Sequence, residues 1–135
     1  MARNSRRFAA AFNRRDDFGV LLPFLHPEFK FEGAESPVGG YFPDLPQVHQ
    51  GREDYVRMFE TLVEGSEELT LQPEEVVDLG DRLYGVSRIT GHGRLSGIAL
   101  DMPLFQVVTL RSGLIVRQQD FAERAKALGA AGLAA

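Results

Sequence analysis

The sequence predicts an α+β domain on three observations. Helical periodicity is concentrated in its first half, two-residue alternation dominates its second, and short Gly-containing links make the later strands antiparallel neighbours. The segment "NSRRFAAAFNRR" opens the helical part, with Asn4 or Ser5 as N-cap and Phe8, Ala11 and Phe12 on one side. Its arginines Arg6, Arg7, Arg14 and Arg15 read as a solvated face. A second short helix follows, where Asp16 and Asp17 suit the start and Phe18, Leu21, Leu22 and Leu25 form a stripe. Pro23 removes a backbone donor and limits this helix, and His26 and Pro27 end it.

From Glu28 the period changes to two. Phe29 and Phe31 flank Lys30, which predicts a half-buried strand to about Gly33. Residues 34–50, "AESPVGGYFPDLPQVHQ", read as one long loop carrying the adjacent aromatics Tyr41 and Phe42, a composition that suits the cover of a cavity. "GREDYVRMFETLVEG" is the clearest helix. Tyr55, Met58, Phe59, Leu62 and Val63 form a core-packing stripe, acids stand near its start, and Gly65 is its stop. Four strands are then predicted at Leu69–Asp78, from Arg82 to about Gly91, at Gly97–Leu110 and at Leu114–Phe121, with turns at "LGD", "GHGRLSG" and "RSG". "FAERAKALGAAGLAA" predicts one or two helical turns broken at Gly129 and Gly132. Residues 1–5 and 130–135 are expected to fray.

Composition narrows the function. The 135 residues suit one domain, spanning 1–135. With 15 Lys and Arg against 19 Asp and Glu, the net charge of -4 argues against a general nucleic-acid binder, which needs a cationic face to neutralise phosphates. The absence of cysteine excludes disulfides, Cys-based zinc sites and thiol nucleophiles. No apolar run approaches the roughly 18 residues of a membrane span, and no continuous apolar stretch follows the Arg-rich start, so a cytoplasmic location away from membranes is expected.

The stretches "LLPFLHPEFKFEG", "HQGREDYVRMFETL", "VVDLGDRLYGV" and "GRLSGIALDMPLFQVVTLRSGLIVRQQDFAERAKALGAAGL" carry a resemblance. In order and spacing, from about Phe8 to Leu133, the chain resembles the NTF2-like superfamily, and within it the bacterial SnoaL-like proteins related to polyketide cyclases and ketosteroid isomerase. The resemblance implies an NTF2-like cone, with three helices packed on the concave face of a strongly curved, mainly antiparallel sheet. It also implies an apolar pocket and a homodimer formed across the sheet face. It implies no single activity, because the superfamily holds enzymes and silent binding modules alike.

The isomerase pattern is not met. Gly33 or Ser36 stands where its carboxylate base is expected, Phe8 where its tyrosine donor is expected, and Phe105 where its acidic donor is expected. Glu35, in alternation with Phe31 and Gly33, is the available substitute for the base. The cyclase pattern calls for an acid and a histidine on the later strands, and Asp101 and His92 are the available pair. Asp101 either lines the concave face with Ala99, Pro103 and Phe105, where desolvation would raise its pKa, or points to solvent while Leu100, Met102 and Leu104 face the core. His92 is either its assistant or a plain turn residue between Gly91 and Gly93. Arg88 either holds an anionic ligand from inside the cone or sits outside in a ladder with Glu74 or Glu75. His26, His49 and His92 lack metal-ligand spacing, and no motif calls for a cofactor.

Two functions follow. One is a module that binds a small hydrophobic molecule, with Tyr41 and Phe42 at the mouth and Glu35, Arg88 and Phe105 about the ligand. The other is an acid–base enzyme of the cyclase, isomerase or dehydratase type, using Asp101 with His92.

Overall fold

The structure, a computed structural model, describes residues 22–36, 48–94 and 97–133. The two expected N-terminal helices, up to residue 21, lie outside the described residues, as does the loop carrying Tyr41 and Phe42. Residues 22–24 form a single 3₁₀ turn, and the first strand, β1, runs over Leu25–Glu35. It starts earlier than the expected Glu28, because Pro23 and Pro27 both oppose helix and residues before a proline prefer extended backbone. Leu25, assigned to a helical stripe from sequence, is instead the buried first residue of β1.

A short strand β2 (Val48–Gln50) leads through Gly51 into helix α1 (Arg52–Glu64), which stops at Gly65 as expected. Strands β3 (Ser66–Asp78), β4 (Arg82–Gly93), β5 (Ala99–Arg111) and β6 (Leu114–Phe121) follow, and helix α2 (Arg124–Ala131) ends the described chain. Gly129 lies inside α2 and does not break it; Gly132, in the left-handed region at φ 80°, terminates it. The sheet order is β2-β1-β6-β5-β4-β3, with β1 and β6 parallel and the other pairs antiparallel.

Side-chain alternation divides the sheet into two faces with separate cores. On the inner face, Phe29 and Phe31 of β1, Leu69 and Leu71 of β3, Ile89 of β4, and Leu100 and Leu104 of β5 pack against Tyr55, Met58, Phe59 and Leu62 of α1. On the outer face, Tyr84, Val86, Phe105, Val107 and Phe121 pack under Ala127 and Ala131 of α2. The described helices therefore cover opposite faces, and only α1 lies on the inner one. β6 ends opposite Phe105, so among the described residues Ala99–Leu104 of β5 pairs with β4 alone. Pro103 falls in this one-sided stretch, where a missing ladder donor is tolerated.

The start of β3 is held by a close approach. Glu68 takes a positive φ of 54° at a register shift, and Leu69 then packs over Gly91, itself at φ 153°. A Cβ on Gly91 would sit 3.0 Å from the Leu69 Cα, a backbone atom that cannot step aside. Gly91→Ala is expected to lower stability by about 1–3 kcal/mol through this strain, read as a lower urea midpoint at unchanged slope.

Candidate functional site

Alternation on the inner face is apolar along most strands, so polar side chains there stand out. β5 contributes Gln106, in the same parity as Leu100, Met102 and Leu104, and β6 contributes Gln118 and Asp120. Gln118 and Asp120 are 4% and 7% exposed, which makes the carboxyl a buried one. Burying a charge is costly unless it is hydrogen-bonded, and two amides answer that need here. The Gln118 Nε2 donates to Asp120 Oδ1 at 3.0 Å, and the Gln106 Nε2 donates to the same oxygen at 3.1 Å. The Tyr55 hydroxyl on α1 in turn donates to Gln118 Oε1 at 2.7 Å. A continuous chain Tyr55–Gln118–Asp120 thus crosses from helix to sheet, with Gln106 closing it from the next strand.

Both donors meet Oδ1, and Oδ2 has no hydrogen-bond partner among the described residues. Glycines flank this row. Gly85 lies opposite Gln106 on one side, and on the other Gly33 occupies the register shift of β1 between Glu32 and Glu35. A Cβ on Gly85 would meet only the Glu75 carbonyl at 3.8 Å.

The electrostatics follow from burial. Desolvation pushes the Asp120 pKa up from 3.8 to about 6, and the two amide hydrogen bonds only partly oppose it. The Tyr55 phenol is pushed well above its ordinary value, first by burial and then by the neighbouring Asp120 charge, so it remains a neutral donor. A carboxyl poised near 6 is mostly ionised at neutral pH yet readily protonated, as a group that takes and returns a proton must be.

The residues singled out from sequence lie elsewhere. Asp101 is on the outer face, its side chain 61% exposed, where the Arg88 Nε donates to Oδ1 at 2.7 Å. Leu100, Met102 and Leu104 are the residues that face the core. Arg88 is thus an outer-face charge too, paired with Asp101 and not with Glu74 or Glu75. His92 shares that face and sits 3.3 Å from Glu67, whose other oxygen pairs with Arg94 at 3.7 Å. Asp101 and His92 therefore lack the enclosed setting expected of a catalytic pair. Phe105 is buried, but under α2 on the outer face, with the Arg124 guanidinium 5.4 Å from its ring centroid. Glu35 ends β1, its side chain outside the described part, and Tyr41 and Phe42 also lie outside the described residues. Among the described residues no three metal-binding side chains converge, and no helix is long and apolar enough to cross a membrane.

This architecture and buried polar row define an NTF2-like cone. The profile of the SnoaL-like domain matches residues 5–118, and the chain belongs to that family. Among solved structures it is similar to a candidate SnoaL-like polyketide cyclase from Jannaschia sp. CCS1, at 21% identity and TM-score 0.73, covering 96% of this chain and 89% of that one. It is similar to a protein of ketosteroid isomerase-like fold from Catenulispora acidiphila DSM 44928, crystallised with trimethylamine, at 16% identity and TM-score 0.70 over 93% and 89% of the two chains. TerC, co-crystallised with polyporic acid, matches at 20% identity and TM-score 0.69 over 88% of each chain. At these identities the likeness is one of fold. No curated protein matches the sequence significantly.

Proposed function

We propose that the chain is an acid–base catalyst acting on a small, mainly apolar carbonyl compound held inside the cone, with Asp120 as the proton carrier. The observation that supports this reading is the buried Asp120 carboxyl, whose Oδ1 is held by two amides while Oδ2 has no partner among the described residues. Oδ2 removes a proton from the carbon beside the carbonyl; the C–H electron pair passes into the enolate, and the same oxygen returns the proton to carbon or oxygen. Gln106 and Gln118 fix the carboxyl so that it needs no reorganisation during transfer. A β-dicarbonyl suits this base best, because its C–H is acidic enough to lie within reach of a carboxylate with a pKa about 6. Relatives crystallised with trimethylamine and with polyporic acid support a small-molecule occupant.

The test is deuterium incorporation from D₂O into cyclic and aryl β-diketones, followed by proton NMR. The native protein is expected to accelerate exchange, with a rate that climbs as pH rises through about 6 and then levels. Exchange no faster than with an equal concentration of acetate, alongside measurable binding of the diketone, would leave a ligand-binding module in place of the enzyme.

A further inference from the structure

We infer that Ser87 is a second polar anchor inside the cone, so that its ligand carries oxygen groups at both ends. This rests on the reading of the inner face as a ligand site, and it concerns recognition, not proton transfer. Ser87 lies on β4 between Gly85 and Ile89 in the inward parity, and pairs with Leu104 of the inner core on one side and Pro73 on the other. It is 8% exposed, and its hydroxyl has no hydrogen-bond partner among the described residues. A hydroxyl buried in an apolar wall without a partner is a cost that sequence variation to alanine would remove, unless something fills the bond.

The register sets the distance between the two anchors. Ser87 faces Leu104, and Gln106 faces Asp120, so Ser87 and Asp120 are two strands and two residues apart. With strands about 4.8 Å apart and a rise of about 3.4 Å per residue, their Cα atoms are separated by about 12 Å along the sheet. Side chains on a concave face converge, so the oxygens they reach for are closer than this. That is the length of a two-ring molecule. Between the anchors the wall offers Leu104 and Gly85 to an apolar ring, with Gln106 at the Asp120 end, its Nε2 already given to the carboxyl. The ligand class is therefore a flat two-ring compound with a hydroxyl or carbonyl oxygen at each far end.

Isothermal titration with para,para′-dihydroxybiphenyl and para-hydroxybiphenyl tests this on the full chain. The native protein is expected to bind the diol about tenfold more tightly than the mono-alcohol. Ser87→Ala should erase that preference while leaving the mono-alcohol affinity unchanged, whereas Asp120→Asn should weaken both. The melting temperature of Ser87→Ala should equal or exceed that of the parent, since no hydrogen bond among the described residues is lost. A diol preference that survives Ser87→Ala, or a lowered melting temperature, would overturn the role of Ser87 while the site about Asp120 stands. Failure of the native protein to bind either biphenyl would overturn the inner-face site itself, and this inference with it.

Discussion

Asp120→Asn is expected to lose at least about 100-fold in proton-transfer rate, the usual range for removal of a general acid or base, while becoming more stable at neutral pH. Asparagine keeps an oxygen to accept from Gln106 and Gln118, so the row stays assembled. What it removes is the charge. In the native protein the Asp120 pKa is raised from 3.8 to about 6, so the folded state holds this proton more tightly than the unfolded chain does. The stability this group contributes is therefore fully present below pH 3.8 and is lost as the pH rises through about 6. That step corresponds to about 3 kcal/mol as an order of magnitude. Urea titrations at a series of pH values should show the variant more stable than the parent above pH 6 and the difference closing toward pH 4. A residue retained at such a cost to stability is the pattern of a functional site. A variant less stable than the parent at pH 8 would contradict this account.

Tyr55→Ala should be the most destabilising single change in α1, by about 3–5 kcal/mol. Tyr55 is completely buried, and its ring lies 4.7 Å from Phe29, 5.4 Å from Phe31 and 4.7 Å from Phe59, centroid to centroid. Its removal opens a cavity at the point where helix meets sheet, and it also strips Gln118 of the hydroxyl that orients it. Tyr55→Phe separates these effects. The ring contacts stay, Gln118 Oε1 loses its donor, and the expected loss is about 1–2 kcal/mol. Equal losses for the two variants in urea unfolding would show that the hydroxyl, and not the aromatic cluster, carries the stability.

Much of this fold is written in local pattern. Helix α1 was legible because an apolar stripe of period 3.6 is bounded by acids at one end and Gly65 at the other, and β6 because "RSG" marks its turn and alternation carries it to Phe121. The site was not legible for a reason of register. Near the turn Arg111 pairs with Leu114 and Leu110 with Ile115, a register that would set Gln106 against Gln119. A bulge at Val116 shifts the pairing by one, so that Thr109 meets Arg117 and Gln106 meets Asp120. A one-residue slip exchanges the two faces of a strand. Without the bulge Asp120 would stand on the Phe105 side of the sheet; with it, Gln118 and Asp120 turn inward. Nothing in "LIVRQQDF" states where that bulge falls, though four successive polar residues, Arg117 to Asp120, on an otherwise apolar strand are the trace it leaves. Asp101 misled for the complementary reason. The strand "ALDMPLFQVV" is apolar in both parities, because α2 covers part of its outer face as well, so the inward side could not be chosen from pattern alone.

The central claim is that Asp120 is a buried, proton-exchanging carboxyl inside the cone. Carbon-13 NMR of the side-chain carboxyl, assigned by its loss in Asp120→Asn, reads it directly. The account predicts a titration midpoint of about 6. A midpoint at or below 3.8, the value of an ordinary aspartate, would contradict it.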